Sequence, residues 1–461
     1  MTIASFVMLL ALMDYMPVLK DYKVMDWRSV PNLFHFTDRR NVMTPELEPE
    51  TAVGAGLRAG PETRGARVHP VLDPGKSLDG FFRALHRAEG KRDGTQVRVM
   101  HYGDSPTTAD MITSDARDLL QKHFGDAGHG FCLVAKPWAW YQHSGLDIEG
   151  DGWTIDPANM GGVRDGLFGL GGVSFRGWSG AFSRIRMKKG KHSRVEIAYL
   201  KQPGGGVFQV EAAGKVLGVV NTAAKAEASG FASFPIPVAA DSINVRNTNG
   251  QVRIFGVVFE SDASGVIYNS LGVNGAYVSV LARFISEAHW REQLQHYAPD
   301  LVIINYGTNE STQADFVDRV SEKELREVIR RVRSAVPQAA ILIMSPMDRG
   351  HRTGSGGIDT VPTIPRLVAI QERVALDTGC AFFNTFAAMG GAGTMARWYE
   401  AEPRLVGADF IHPMPAGARI VGGLLYRALF DGYNKYKLRL LDNRKLASVK
   451  DGVSAAPPAR L

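Results

Sequence analysis

Segments with the pattern of a strand alternate with segments that have the pattern of a helix, and this alternation restricts the fold more than any other feature of the chain. The apolar run VRVMHY (97–102) leads through GDSPT into a helical pattern, with apolar residues from Met111 to Phe124 and Gly125 as its end. A strand followed at once by such a helix is typical of a parallel sheet, because parallel neighbours need a long crossover connection.

The alternation resumes after residue 272. We predict a helix from Tyr277 to Tyr297 and a last helix that begins at Pro415. Between them, apolar runs typical of buried strands alternate with further helical patterns; the runs are LVIINY (301–306), AILIMS (340–345) and CAFFN (380–384). Repeated units of this length predict an α/β fold, a three-layer α/β/α arrangement in which helices cover both faces of a parallel sheet.

Residues 151–262 do not follow the alternation. They consist of short β-rich runs between Gly, Pro and Asn turns, such as SRVEIAYL (193–200) and VRIFGVVFE (252–260), with almost no helical period. We therefore expect a β-sandwich that is inserted between two parts of the α/β domain, at 71–150 and 263–436.

The two ends of the chain show different patterns. An apolar run from Ile3 to Met13 is too short for an uninterrupted membrane span of about 20 residues. We interpret residues 1–20 as an export signal or a membrane anchor, with an amphipathic helix packed on the domain as the alternative. Residues 21–70 and 437–461 show no sustained period, so we predict a linker and a tail. An export signal would place the protein in the cell envelope.

Composition excludes several classes of function. The formal net charge of +6 suits association with an anionic polymer, but no long Lys/Arg run occurs, and a mildly basic solvated surface is the plainer interpretation. No Walker A loop, nucleic-acid motif or HExxH pattern is present, so we predict no nucleic-acid partner, no metal and no cofactor. With only Cys132 and Cys380, a disulfide framework is excluded, and one long-range disulfide stays open.

Ser105 stands where a parallel sheet places its ligands, at the carboxyl end of a strand and before a helix. A serine hydroxyl is a weak nucleophile unless a base takes its proton. The segment GADFIHPMPAGA (407–418) supplies a candidate base, His412, and an acid three residues before it, Asp409. A carboxylate in this position fixes the tautomer of the imidazole and stabilises the imidazolium that forms during attack.

Two further loops offer hydrogen-bond donors for an oxyanion. Asn309 follows the strand LVIINY in the segment NYGTNES, and Gly272 and Gly275 lie in NSLGVNGA. Prepositioned donors of this kind each stabilise a developing oxyanion by about 3 to 4 kcal/mol. Glycine suits such a loop because the backbone must come close to the substrate.

Together these blocks resemble a known family. GDS, a glycine-containing second block, GTNE in place of the usual GxND, and DxxH occur in the order seen in SGNH (GDSL-type) hydrolases. The resemblance covers roughly residues 95–150 and 263–432. With its β-rich insertion and the segment FGDAGHGF (124–131), the chain looks most like peptidoglycan O-acetylesterases that carry an inserted carbohydrate-binding-module-like domain.

The resemblance implies a flavodoxin-like sheet and a role for each site residue. Ser105 would be the nucleophile, His412 the base and Asp409 its orienting acid. The oxyanion hole would consist of the Ser105 N–H, the Gly275 N–H and the Asn309 amide; Gly275 is preferred to Gly272 because the family's glycine tends to close a VNG-type turn. The chain departs from the pattern where Pro106 follows the serine instead of His, and where Glu310 follows Asn309 instead of Asp.

The function that the resemblance implies is a serine esterase that removes O-acetyl groups from a cell-envelope polysaccharide, with O-acetylated peptidoglycan as the first candidate. An O-acetyltransferase, a lipase or thioesterase, and a non-catalytic glycan-binding scaffold are the alternatives.

Two groups of side chains allow both a functional and a structural interpretation. Trp138, Trp140 and Tyr141 in KPWAWYQH could stack on sugar rings or belong to the core. The loop after MSPMD, with Arg349 and the HR pair at 351–352, could clamp an acidic glycan or be solvated.

Overall fold

The computed structural model describes residues 69–91, 94–160, 162–190 and 192–454. The predicted signal or anchor at 1–20 and nearly all of the predicted linker lie outside these residues. In the part that is described, no helix is long and apolar enough to cross a membrane.

Sixteen strands are found within the described ranges. They are β1 Gln96–Gly103, β2 Gly130–Cys132, β3 Leu146–Pro157, β4 Val173–Met187, β5 Arg194–Lys201, β6 Val207–Ala212, β7 Lys215–Asn221, β8 Ala228–Pro235, β9 Ser242–Asn249, β10 Val252–Glu260, β11 Gly265–Gly272, β12 Leu301–Asn305, β13 Ala340–Met344, β14 Gly350–Arg352, β15 Ile358–Thr360 and β16 Ala381–Phe383.

The α-helices of the same ranges, in chain order, are α1 Asp79–Glu89, α2 Ser105–Thr108, α3 Met111–Phe124, α4 Glu287–Tyr297, α5 Ala314–Arg319, α6 Ser321–Ala335, α7 Thr363–Asp377, α8 Thr385–Ala388, α9 Thr394–Glu400 and α10 Pro415–Ser454. A π-helical segment at Val280–Phe284 and a 3₁₀ turn at Glu310–Thr312 complete the set.

Five parallel strands form the central sheet, in the order β11-β1-β12-β13-β16. Alternate side chains of β1 enter two different apolar cores. Val97 and Val99 pack with residues of α1, α3 and α10, whereas Met100 and Tyr102 pack with residues of α4, α6 and α7 and of the insertion. Helices therefore cover both faces, and the predicted three-layer α/β/α fold is confirmed.

The insertion is a separate antiparallel β domain, as predicted, but its strands form one continuous sheet. Seven strands follow the order β7-β6-β9-β4-β10-β5-β8, while β2 pairs with β10 and β3 with β4. The two end strands of this path lie close together. A Cβ placed on Gly218 of β7 would lie 2.3 Å from a ring carbon of Phe234 in β8. The sheet is thus curled almost to a barrel, and its interior supplies the packing that a two-sheet sandwich would have.

This antiparallel sheet begins earlier in the chain than residue 151, the predicted start of the insertion. Residue 151 lies within β3, and β2 already pairs with β10. The backbone N–H of Phe131 in β2 also donates a hydrogen bond to Oδ1 of Asn269 in β11 over 2.9 Å. The short strand β2 therefore joins the two domains, and its three residues are too few to show a period in the sequence.

The helix predicted from Tyr277 to Tyr297 is interrupted. Ile285 has an extended backbone and ends the π-helical segment, and α4 starts after Ser286. The N–H of Ser286 donates a hydrogen bond over 2.9 Å to the carbonyl oxygen of Gly166, in the loop between β3 and β4. This contact with the insertion replaces an intrahelical bond, which the helical pattern could not reveal.

The tail predicted to begin at residue 437 instead continues α10, which runs to Ser454. Tyr433 and Tyr436 are buried in the core beside α1. Lys437 pairs with Glu89 over 3.2 Å, and Arg439 forms an ion pair with Asp79. These contacts with α1 stabilise the helix past the predicted boundary.

Candidate active site

The nucleophile candidate is presented by a tight turn between β1 and α2. Ser105 is the first residue of α2 and is 6% exposed. A Cβ on Gly103 would lie 2.2 Å from Oγ1 of Thr107, and one on Gly272 would lie 2.1 Å from the backbone nitrogen of Thr108. Glycine at both positions is therefore required for α2 to pack this closely on the ends of β1 and β11.

The structure brings together the three predicted triad residues. Nε2 of His412 lies 2.8 Å from Oγ of Ser105, and Nδ1 of His412 lies 2.6 Å from Oδ2 of Asp409. The other carboxylate oxygen, Oδ1, accepts hydrogen bonds from the backbone N–H groups of Ile411 at 3.0 Å and His412 at 3.1 Å. With Nδ1–H donating to Asp409, Nε2 is the ring nitrogen that can take the serine proton.

The loop that carries Asp409 and His412 is fixed by its own backbone and by one buried ring. The N–H of Gly407 donates to the carbonyl oxygen of His412 over 2.8 Å, and Gly350 donates to the carbonyl oxygen of Phe410 over 2.9 Å. Phe410 is buried and has a φ of 58°, so the residue between the acid and the base is anchored in the core. The loop thus holds both side chains toward Ser105 although each is about half exposed.

The charges of the acid and the base support each other. Burial raises the pKa of Asp409, but the hydrogen bonds from His412 and Ile411 outweigh it and hold that pKa at about 2. The hydrogen bond to Asp409 raises the pKa of His412 above its ordinary value. Asp409 is therefore ionised at every pH at which His412 is neutral and can act as a base.

The loops with the predicted oxyanion donors lie on either side of Ser105. Gly275 follows β11 and Asn309 follows β12, and these two strands are the direct neighbours of β1. One amide hydrogen of Asn309 is used in a 3.0 Å hydrogen bond to the carbonyl oxygen of Ala276, which leaves the second free. Gly275 is exposed and has a φ of +67°. Gly272 by contrast is buried against α2, so its position suits packing rather than substrate contact.

Asp104 is buried directly beside the nucleophile. Burial raises the pKa of this carboxyl to about 6, against the opposing influence of Thr308, His412 and Arg349. Among the described residues, its Oδ2 atom has no hydrogen-bond partner. Asp104 therefore adds a second titrating carboxyl to the surroundings of His412.

Arg349, a member of the predicted basic group, contacts the loop that carries Asn309. Its Nη1 donates a hydrogen bond over 2.6 Å to the carbonyl oxygen of Thr308, next to Asn309. Burial lowers the pKa of Arg349, while the charges of Asp104 and Asp409 oppose this. The remaining two residues of the group are exposed on β14. Arg349 therefore braces the loop that carries Asn309.

The aromatic group at 138–141 is divided between the core and the surface. Tyr141 is buried, and its hydroxyl accepts a hydrogen bond from the N–H of Leu133 over 2.8 Å. Trp138 packs against the same core. Trp140 is 43% exposed, and its Nε1–H donates to Oδ1 of Asn274 over 3.2 Å. Of the three side chains, Trp140 is therefore the exposed one, Trp138 is half-buried and Tyr141 is buried.

Glu310 holds the two oxyanion loops together, a role that the sequence did not indicate. Its Oε1 accepts a hydrogen bond from the N–H of Val278 over 2.7 Å. Burial raises the pKa of Glu310 to about 8, so the side chain is a neutral acid at neutral pH. The only signal in the sequence was its position directly after Asn309, where the related pattern has Asp.

Within the described ranges, no group of three or more His, Cys, Asp or Glu side chains is arranged to hold a metal ion. Cys132 and Cys380 are buried free thiols.

Known proteins with similar sequence or structure bear on this site. Residues 241–420 match the GDSL-like Lipase/Acylhydrolase family, a range that begins at the start of the last two strands of the insertion and does not include Ser105. The structure is similar to that of a peptidoglycan O-acetylesterase, with a TM-score of 0.69 and 22% identity over 79% of this chain and 99% of that one. No curated protein sequence matches the chain.

A second solved structure, of a family two carbohydrate esterase from Clostridium thermocellum in complex with cellohexaose, has a TM-score of 0.25 and 14% identity, over 61% of this chain and 100% of that one. The likeness with a TM-score of 0.69 confirms the predicted fold, and the family match confirms the resemblance that the sequence blocks indicated.

Proposed function

We propose that this chain removes O-acetyl groups from a cell-envelope polysaccharide, with O-acetylated peptidoglycan as the first candidate. It carries a GDSL-like lipase/acylhydrolase domain with the SGNH fold and is a carboxylic ester hydrolase. The observation that carries the proposal is the continuous hydrogen-bonded series from Oγ of Ser105 through His412 to Asp409. This series is what a serine needs in order to attack an acetyl carbonyl.

In the first step, Oγ of Ser105 forms a bond to the acetyl carbonyl carbon while Nε2 of His412 takes the hydroxyl proton. The carbonyl oxygen becomes an oxyanion, which the N–H groups of Ser105 and Gly275 and the amide of Asn309 stabilise. Collapse of this intermediate breaks the ester bond, and the imidazolium of His412 gives its proton to the sugar oxygen that leaves. An acetyl-serine and a free sugar hydroxyl result.

In the second step, His412 takes a proton from a water molecule that attacks the acetyl-serine. The same donors stabilise the second oxyanion, and acetate leaves as the proton returns to Oγ of Ser105. Asp409 stays ionised throughout and stabilises the imidazolium in both steps.

The choice of substrate is supported by the inserted β domain and by the peptidoglycan O-acetylesterase that the structure resembles. Such a substrate lies outside the cytoplasm, which is consistent with our proposal of a cell-envelope location. A non-catalytic scaffold is disfavoured because the three side chains of the triad are in reacting geometry, with Ser105 and His412 2.8 Å apart.

The test is acetate released from O-acetylated peptidoglycan by the full chain, compared with Ser105→Ala. Ser179→Ala, an exposed serine in β4, is the matched control. Release by the wild type and the control, but not by Ser105→Ala, would support the proposal. If the wild type cleaves p-nitrophenyl acetate but not the glycan, the substrate is wrong; if it moves acetyl to an added sugar and frees no acetate, it is a transferase.

A further inference from the structure

Two segments of the chain converge on one residue of the loop after β11. Nε1–H of Trp140 donates to Oδ1 of Asn274 over 3.2 Å, and Nδ2 of Asn159 donates to the carbonyl oxygen of Asn274 over 2.8 Å. Trp140 comes from the segment between β2 and β3, and Asn159 from the loop between β3 and β4. The insertion is therefore in direct contact with the residue that precedes Gly275.

This loop lies beside the nucleophile. The N–H of Val273 donates to the carbonyl oxygen of Gly103 over 3.0 Å, which ties the loop to the end of β1. Gly275 itself is exposed; apart from its chain neighbours, the nearest described atom to the place where its Cβ would be is Nδ2 of Asn159, at 3.9 Å. An acetyl group whose oxygen is bound at the Gly275 N–H would therefore have open space around the loop for the rest of its substrate.

The side chain of Trp140 is fixed in position and is also partly exposed to solvent. Its indole N–H is satisfied by Asn274, and the following residue, Tyr141, is anchored in the core, yet 43% of Trp140 is exposed. Trp presents a large rigid surface at low cost in conformational entropy, which makes an exposed and fixed indole a good surface for a flat apolar face. The C–H face of a pyranose ring is such a face.

From this arrangement we infer that the sugar ring that carries the acetyl ester stacks on Trp140. The indole is bound to Asn274, the residue directly before the proposed oxyanion donor Gly275. The inference rests on the proposed function, since it names the binding partner of the same site. It also gives the insertion a role at the site, because Asn159 fixes the loop to which Trp140 is bound.

The test compares Trp140→Ala and Trp140→Phe with the wild type on two substrates, O-acetylated peptidoglycan and p-nitrophenyl acetate, which has no sugar. Trp178→Ala is the matched control, because Trp178 in β4 is also an exposed tryptophan, at 66%. We expect Trp140→Ala to raise KM for the glycan about tenfold or more with little change in kcat. Activity on p-nitrophenyl acetate should stay close to wild type, and Trp140→Phe, which keeps an aromatic face, should retain most of the affinity for the glycan.

Three results would overturn the inference. Equal losses on both substrates in Trp140→Ala would mean that Trp140 only holds the Asn274 loop. Unchanged glycan kinetics would mean that no sugar stacks there, and an equal loss in Trp178→Ala would move the contact away from the active site. A wild type that cleaves p-nitrophenyl acetate but no O-acetylated glycan would instead remove the proposed function, and the inference with it.

Discussion

Asn309 donates a hydrogen bond to the carbonyl oxygen of Ala276 over 3.0 Å and thereby joins the two loops that flank the nucleophile. Beside it, Glu310 accepts a hydrogen bond from Val278 over 2.7 Å. The donors from β11 and β12 are therefore fixed relative to each other before any substrate binds. Preorganisation of this kind is what makes oxyanion stabilisation effective.

Asn309→Ala removes the proposed amide donor and also the bond to Ala276. We expect kcat for p-nitrophenyl acetate to fall by about 10² to 10³, while the melting temperature changes little. Asn249→Ala, an exposed asparagine at the end of β9, is the control and should leave kcat unchanged. A normal kcat in Asn309→Ala would show that the oxyanion is stabilised by other groups.

The pH profile should have an acidic limb set by His412. The base works only when neutral, and its hydrogen bond to Asp409 raises its pKa above the ordinary value of 6.5. We therefore expect kcat/KM to fall as the pH decreases through this raised pKa, whereas Asp409, with a pKa of about 2, stays ionised throughout. Stopped assays of p-nitrophenyl acetate hydrolysis across the pH range measure the midpoint.

Two variants check the assignment of this limb. Asp409→Asn should lower the midpoint and reduce kcat by about 10⁴, because the amide favours the wrong tautomer. Asp104→Asn should lower the midpoint by less, since Asp104 acts on His412 through its charge without a hydrogen bond. A midpoint that neither variant moves would contradict the role of His412.

The sequence predicted the parts of the fold that depend on local patterns. Helix α3 runs from Met111 to Phe124 as the apolar spacing indicated, and it ends where Gly125 adopts a φ of +102°. The block around Ser105 could be recognised because it directly follows the strand β1, and the block around His412 because Asp409 and His412 lie three residues apart just before α10. The two blocks lie 307 positions apart in the chain, and only the fold brings Nε2 of His412 to 2.8 Å from Oγ of Ser105.

The features that the sequence did not predict depend on contacts between distant segments. The break at Ser286 is accompanied by a hydrogen bond from its N–H to Gly166, a residue of the insertion 120 positions earlier in the chain. Glu310 stands out in the sequence only because it replaces the Asp of the related pattern, and only the fold buries it and places its carboxyl against the N–H of Val278. In both cases a partner more than 30 residues away decides the local structure.

Gly272 and Gly275 form a matched pair for substitution by alanine. In Gly272→Ala, the new Cβ would lie 2.1 Å from the backbone nitrogen of Thr108, so α2 and Ser105 must move. We expect kcat to fall by about 10² or more, because small displacements of a nucleophile are costly. Gly275→Ala has space and keeps its N–H, so kcat should stay close to wild type at a cost of about 1 to 2 kcal/mol in stability from the positive φ. A larger fall in kcat for Gly275→Ala than for Gly272→Ala would contradict the assignment of the Gly275 N–H as the oxyanion donor.

Arg117 in α3 and Asp110, the residue just before α3, form a buried ion pair, with 2.7 Å between Nη2 and Oδ2 and both side chains 1% exposed. Arg117→Ala leaves the buried carboxylate of Asp110 without its guanidinium partner, and we expect the free energy of unfolding to fall by about 3 to 5 kcal/mol. Arg330→Ala, which breaks exposed ion pairs with Glu287 and Glu327, should leave the free energy of unfolding nearly unchanged because solvent screens them. Urea unfolding of the three proteins measures both; equal losses would mean that burial does not distinguish the pairs.

Glu310 should make the stability of the protein depend on pH in a defined window. Its pKa in the folded protein is about 8, above the ordinary 4.5, so between these values the unfolded chain has lost a proton that the folded protein still holds. The free energy of unfolding contributed by this group is thus fully present below pH 4.5, decreases as the pH rises and is lost above about 8.

Glu310→Gln keeps a neutral side chain that can accept the bond from Val278, so it should gain stability over the wild type as the pH rises through this window. Glu327→Gln is the control, because Glu327 has a lowered pKa of about 2 and should shift stability by a constant amount across the same window. Urea unfolding at several pH values measures the difference, and parallel curves for the wild type and Glu310→Gln would show that Glu310 is ionised in the folded protein.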